Sequence, residues 1–173
     1  MIPYTRRTAM VLAASSLLVP LLSATDGHAD PADGTASGTL TVNGKTTKVA
    51  YAYARSVPGF FDKNTRDTQV IVSDVPLDAA ALGDDFARDD LAKAGKLHAF
   101  EITIDATGAP ISTAWRHDGF KGPMPSGLSS ADVFTKKVLD DKFVEGNYKS
   151  AEAAEFFGNT YAFDVTFRAA IAH

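Results

Sequence analysis

Residues 160–169 read Thr-Tyr-Ala-Phe-Asp-Val-Thr-Phe-Arg-Ala, and this segment has the clearest periodic pattern in the 173-residue chain. Large apolar side chains alternate in it with small or polar ones, and the apolar set is Tyr161, Phe163, Val165 and Phe167. Because successive side chains of a β-strand point to opposite faces of the sheet, this strand has one buried face and one solvated face. Such a division is typical of antiparallel sheets.

Other segments upstream have strand patterns and are joined mostly by short turns. Asn43-Gly44 is a strong signal for a two-residue hairpin turn, and Asp140-Asp141 marks a second hairpin. The predicted strands are 38–42, 49–54, 69–73, 96–105, 110–117, 133–139, 142–144 and 160–169. No strand–helix–strand unit repeats, so the connections favour an antiparallel arrangement.

The sequence predicts one or two short helices. The first is capped by Asp84 or Asp85 and stops at Gly95, with Arg88 expected in a surface ion pair with Asp84. The second covers residues 151–157 and is closed by a glycine. We therefore predict a mainly β fold, either a single antiparallel β-sandwich or an up-and-down β-barrel of about eight strands.

The first 29 residues have the pattern of a secretory signal peptide. Arg6 and Arg7 supply its positive start, residues 9–22 its apolar stretch, and 27–29 its small-x-small cleavage motif. The apolar stretch is shorter than the roughly 20 residues that a membrane span needs. We expect export to the periplasm or the exterior by the general secretory or twin-arginine route.

Export divides the chain into three predicted parts. Residues 1–29 are removed, residues 30–37 form a flexible leader without large apolar side chains, and residues 38–173 form a single β-rich domain. Since the chain contains no cysteine, it has neither a lipoprotein anchor nor disulfides. The core alone must therefore hold the domain together.

Composition and charge narrow the class of partner. The chain is 45% hydrophobic and 22% charged, which excludes collagen-like and wholly disordered proteins. Removal of Arg6, Arg7 and Asp26 with the signal reduces 17 basic and 21 acidic residues to 15 and 20, so the net charge changes from −4 to −5. An acidic domain does not attract nucleic acid or anionic lipid, and we expect neither nucleic-acid binding nor membrane insertion after signal removal.

The hairpin around Gly108 predicts a pair of histidines. If its loop has an even number of residues, paired positions have numbers that sum to 215, so Phe100 faces Trp115 and His98 faces His117. Directly opposed Cβ atoms lie about 5 Å apart, which lets both imidazoles reach one metal ion.

A metal site needs a further ligand, and two acidic residues come into question. Glu101 falls on the opposite face of its strand, whereas Asp118 follows His117 but begins the glycine- and proline-rich loop 118–130. The sequence does not fix the direction of Asp118. The alternative is that His98 and His117 end an apolar strip and hydrogen-bond to each other or to the backbone.

Four aromatic residues are candidates for ligand binding, namely Phe60, Phe61, Trp115 and Phe120. The three phenylalanines lie in predicted loops beside glycine or proline, and Trp115 is the only tryptophan. Loop aromatics either line a mouth or contact surface, or fold back to close the ends of the core. In the first case the partner is a small apolar ligand or a protein surface.

Motifs for catalysis and for organic cofactors are missing from the sequence. Residues 127–131 resemble a nucleophile elbow but lack its second glycine, and no glycine-rich phosphate-binding motif occurs. The sequence therefore predicts an exported, non-enzymatic binding domain without a cofactor. The alternative hypothesis is a metal-binding or metal-dependent protein that uses His98 and His117.

Overall fold

The structure is a computed structural model, and it describes residues 34–173. The predicted signal peptide, and residues 30–33 of the predicted leader, lie outside the described residues. Among residues 34–173, no helix is both long enough and apolar enough to cross a membrane.

Strands account for 52% of the structure and are accompanied by two short helices. The elements in chain order are β1 (Thr35–Val42), β2 (Lys45–Lys48), β3 (Tyr51–Pro58), β4 (Arg66–Ser73), α1 (Ala79–Gly83), α2 (Asp85–Lys93), β5 (Ala99–Ile104), β6 (Pro110–Arg116), β7 (Val133–Leu139), β8 (Phe143–Lys149), β9 (Ala154–Phe156) and β10 (Asn159–Ala172).

The ten strands within residues 34–173 belong to one sheet. Its order is β6-β5-β4-β3-β1-β10-β8-β7, with β2 paired to β1 and β9 paired to β10. Neighbouring strands are antiparallel, apart from a short parallel contact between β10 and β3. The sheet is curled into a half barrel, which confirms the predicted mainly β, sandwich- or barrel-like fold with short helices.

Aromatic contacts inside the sheet show how strongly it curls. The ring centroids of Phe100 on β5 and Tyr148 on β8 are 6.0 Å apart, although four strands lie between β5 and β8 in the sheet. Since neighbouring strands are about 4.8 Å apart, a flat sheet would separate these rings by about 24 Å. The inner face therefore closes around one apolar core, where Phe163 is 4% exposed and Phe167 is 0% exposed.

The two helices cover part of the outer face. In β4, Val70 and Val72 belong to the inner core, whereas Ile71 packs in a second cluster with Leu77 and Ala81. Burial on both faces explains why residues 69–73 form a β-branched run without polar alternation.

The sequence located helix α2 but not the side that it buries. Asp84 caps the helix by accepting a hydrogen bond from the backbone N–H of Phe86, as predicted. The expected surface position of Arg88 is wrong, because its side chain is 0% exposed and donates from Nε to Glu101 of β5 at 2.9 Å. Tertiary packing, and not the spacing of charges along the helix, decides which side faces the sheet.

Two segments differ from the sequence prediction. Strand β1 begins at Thr35, which pairs with Arg168, so residues 35–37 of the predicted leader belong to the sheet. Backbone pairing with β10 holds this segment although it has no large apolar side chain. The helix predicted over 151–157 is replaced by β9, because Phe157 and Gly158 have φ values of 49° and 72° and form a hairpin turn into β10.

Candidate metal centre

The predicted register of β5 and β6 brings His98 and His117 together. Phe100 pairs with Trp115, and the ladder continues to Ala99 paired with Arg116, as the sum of 215 requires. One step further, the ring centroids of His98 and His117 are 4.4 Å apart. The ladder does shift after Thr103, which pairs Ile104 with Pro110 instead of the expected Ile111, but that irregularity lies at the opposite end of the hairpin.

Asp118 completes a group of three potential metal ligands. Its Oδ1 lies 2.9 Å from His98 Nε2 and 3.5 Å from His117 Nδ1. One ligand atom from each of the three residues lies within 4.8 Å of the others. Glu101, the other acidic candidate, pairs instead with Arg88, in agreement with its expected position on the opposite face.

Asp74 fixes the orientation of the His98 ring. It follows β4 directly, and its carboxylate accepts hydrogen bonds from the backbone N–H of His98 at 2.8 Å and from its Nδ1 at 2.6 Å. Because Nδ1 donates to Asp74, Nε2 points at Asp118 and donates a hydrogen bond to its Oδ1. A metal ion bound to Nε2 would take the place of that proton. A carboxylate behind the imidazole is the usual way in which proteins orient a histidine toward a metal.

His117 is buried and neutral near pH 7. Its side chain is 0% exposed, Nδ1 accepts a hydrogen bond from the Gly119 N–H at 2.9 Å, and Nε2 lies 3.4 Å from Thr47 Oγ1. Burial above all, and then the nearby charge of His98, lowers the pKa of His117 to about 4. Metal ions bind the neutral form of imidazole, so this ligand needs no deprotonation at neutral pH.

Lys45 of β2 supplies the positive charge beside Asp118. Its Nζ lies 2.9 Å from Oδ1 and 3.1 Å from Oδ2 of the carboxylate. The hydrogen bond from Lys45 is the main reason that the pKa of Asp118 is lowered, and the hydrogen bond from His98 also contributes. The lysine side chain is 54% exposed, so it can move into solvent if another cation takes its place.

The predicted aromatic residues do not form one ligand-binding surface. Trp115 and Phe120 are 2% and 8% exposed, pack in the inner core, and have ring centroids 5.5 Å apart. Phe60 and Phe61 are 70% and 78% exposed in the turn between β3 and β4. That turn precedes β4, whereas Ser73 at the far end of β4 pairs with Ala99, the neighbour of His98. Phe60 and Phe61 are therefore remote from Trp115 and Phe120.

Sequence reasoning missed Asp74, Lys45 and Thr47. A signal for Asp74 exists, because a carboxylate directly after strand 69–73 lies at the sheet end where the antiparallel strand 96–105 begins. Lys45 and Thr47 belong to β2, whose approach to the β5–β6 hairpin depends on the curl of the whole sheet. Comparisons with protein-family models, with curated proteins and with solved structures found no match.

Proposed function

We propose that this protein is an exported β-domain that binds a divalent transition metal, zinc or copper, through His98, His117 and Asp118. The observation that carries the proposal is the convergence of two imidazoles and one carboxylate, with Asp74 holding one imidazole from behind. Three protein ligands of this kind leave a fourth position of a tetrahedral zinc site to water or to a small donor molecule.

The separations between the ligand atoms support a tetrahedral ion. Bonds of about 2.0 Å to a tetrahedral zinc ion place its ligand atoms about 3.3 Å apart. The distances of 2.9 Å and 3.5 Å from Asp118 Oδ1 to the nitrogens of His98 and His117 lie on either side of that value. The Asp118 side chain is 31% exposed, so solvent and not packed protein lies on one side of it.

The competing interpretation is a hydrogen-bonded cluster that holds four segments of chain together without metal. Lys45 neutralises Asp118, the Gly119 N–H occupies His117 Nδ1, and His98 Nε2 donates to Asp118, so a metal must displace all three interactions. The two interpretations differ for the Lys45→Met variant. Removing the ammonium group lowers competition and charge repulsion, so a metal site gains affinity, whereas a purely structural cluster only loses an ion pair.

Calorimetric titration of the untagged, chelator-treated protein with zinc tests the proposal. We expect one zinc ion per chain and a higher unfolding temperature, because a ligand at 100 times its dissociation constant stabilises the folded state by about 2.7 kcal/mol. A parallel titration with Cu²⁺ is expected to give tighter binding, since nitrogen and oxygen sites prefer copper to zinc.

Three variants make the test specific. Asp118→Asn is expected to weaken zinc binding at least tenfold and Lys45→Met to strengthen it, while His173→Gln, which changes a histidine outside the cluster, leaves it unchanged. The absence of any heat or stabilisation with either metal would overturn the proposal. Equal loss of binding in Asp118→Asn and His173→Gln would also overturn it, because the binding would then be nonspecific.

A further inference from the structure

A large apolar groove lies on the outer face of the sheet, beneath helix α1 and away from the histidines. We call it the α1 groove, and it has a volume of about 600 Å³. Most of the residues that line it are small or aliphatic, including Ile71, Ala79, Leu82, Gly83, Ala170 and Ala172. This volume is within the range of about 300–1,000 Å³ that is typical of ligand pockets.

The groove exists because small residues meet where β3 and β10 converge. The two strands contact each other in parallel through Ala54 with Ile171 and Arg55 with Ala172. Helix α1 stands above this junction, and its approach is fixed by the Tyr53 hydroxyl, which accepts a hydrogen bond from the Leu77 N–H at 3.0 Å. Within residues 34–173, the space between the helix and the strands stays open as this groove.

Arg55 places one positive charge in this apolar wall. Its Nε donates to Gln69 Oε1 at 2.6 Å, whereas within residues 34–173 its two terminal amino groups have no hydrogen bond or ion pair. Arg88 and Arg116, on the same face, have carboxylate partners. A guanidinium group stays charged at any physiological pH and binds carboxylates through parallel hydrogen bonds.

We propose that the α1 groove binds a single long-chain carboxylate, with the alkyl chain against the alanine-rich wall and the carboxylate on Arg55. The apolar wall selects an alkyl chain, and the unpaired guanidinium selects a negative head group over a neutral one. This inference does not rest on the metal site, because none of the metal ligands lines the groove.

Calorimetric titration of the chelator-treated protein with octanoate, decanoate and dodecanoate below their micelle concentrations tests the inference. We expect one site whose affinity rises about fourfold for each added methylene group, as burial of alkyl surface requires. 1-Decanol, which has the same chain without the charge, is expected to bind about ten- to a hundredfold more weakly than decanoate.

Two pairs of variants locate the site. Ala79→Phe fills the groove and is expected to abolish decanoate binding, while Ala80→Phe, on the neighbouring exposed position of the same helix, leaves it unchanged. Arg55→Met is expected to remove the preference for decanoate over 1-decanol, whereas Arg66→Met, on an exposed arginine outside the groove, preserves it.

Several results would overturn the inference. Absence of decanoate binding would do so, as would equal binding of decanoate and 1-decanol by the unsubstituted protein. Binding that Ala79→Phe and Ala80→Phe reduce alike would place the site elsewhere. A concentration-dependent dimer that only Ala79→Phe disrupts, without uptake of decanoate, would identify the groove as a contact between two copies of the chain.

Discussion

Replacing Arg88 by methionine tests how both helices are held to the sheet. The Arg88 guanidinium donates to Glu101 at 2.9 and 3.2 Å, to the Leu82 carbonyl at 3.2 Å, and also to the Ala81 carbonyl and the Asp85 carboxylate. Burial acts to lower the pKa of Arg88, but the hydrogen bond and charge of Glu101, together with Asp85, outweigh it and raise the pKa. Arg88→Met therefore removes a permanent charge on which α1, α2 and β5 converge.

The expected loss of stability is about 3 kcal/mol. Methionine has a similar length and helix propensity, so the change reports the charge and its hydrogen bonds. Removal of one partner from a buried ion pair costs about 3–5 kcal/mol, because the other charge stays buried. Glu101 is 4% exposed but keeps Arg116 Nε at 3.3 Å, and this partial compensation places the expected loss at the lower limit.

Urea unfolding followed by tryptophan fluorescence measures the loss. Trp115 is the only tryptophan and is 2% exposed, so its emission reports the opening of the core. With an m-value of about 1.5 kcal/mol per M, a loss of about 3 kcal/mol lowers the unfolding midpoint by about 2 M urea. Lys93→Met, which removes an exposed cation from the same helix, serves as the control and is expected to leave the midpoint unchanged.

A double variant decides whether the buried charge is the cause. Arg88→Met with Glu101→Leu leaves neither partner of the pair charged, so it is expected to be more stable than Arg88→Met alone. The reasoning is refuted if Arg88→Met costs less than about 1 kcal/mol. It is also refuted if the double variant is less stable than the single one.

Three further predictions concern acid stability, a buried amide and export. The pKa of His117 falls from 6.5 to about 4 on folding, so the unfolded chain binds more protons than the folded chain between these pH values. Metal-free protein should therefore lose up to about 3 kcal/mol of stability between pH 6.5 and pH 4, measured by urea unfolding midpoints. The control variant His173→Gln, which keeps His117, should show the same loss. Asn159 is 0% exposed and its amide binds Asn43 at 2.9 Å and the Lys121 N–H at 2.8 Å, so Asn159→Ala should cost about 3 kcal/mol in the same assay, and an unchanged midpoint would contradict the role of this amide. Mass spectrometry of the exported protein should find Asp30 as its first residue, and an intact N-terminus would contradict the signal peptide.

The sequence was sufficient to predict the pair of histidines because a hairpin register is a local property. A short turn fixes which residues face each other, and the alternation of side chains then follows over the whole ladder. The irregularity at Thr103 shifts only the pairs near the turn, so His98 and His117 keep their positions. The same locality explains the correct prediction of the Asn43 turn, whose φ of 49° is followed by 79° at Gly44.

The sequence named Asp118 as a candidate third ligand but could not fix its direction, because distant residues determine it. The Asn43 side chain donates to the Gly119 carbonyl at 2.9 Å, across 76 positions of sequence. Asn159 then fixes Lys121 by accepting its backbone N–H, across 38 positions. Two asparagines in other hairpins therefore determine the conformation of the loop after β6. The sequence of residues 118–130 alone does not indicate these contacts.

The sequence did not predict the α1 groove either, because a groove lined by alanines forms only where residues from distant segments meet in the folded structure. Ala54, Ala79 and Ala169 belong to β3, α1 and β10, and each is unremarkable in its own segment. The groove also depends on Arg88, which holds the carbonyl groups of Ala81 and Leu82 in α1. That residue was expected on the surface, so the support of the groove wall was missed together with the groove.

The two proposed sites depend on different supports and can be separated experimentally. Arg88 holds α1 over its groove on the outer face, whereas Asn159 holds the loop that presents Asp118 at the sheet end. In folded protein, Arg88→Met should weaken decanoate binding and leave zinc binding unchanged. Asn159→Ala should weaken zinc binding and leave decanoate binding unchanged. If both variants weakened the binding of both ligands equally, the domain would respond as one unit, and the independence of the two sites would be refuted.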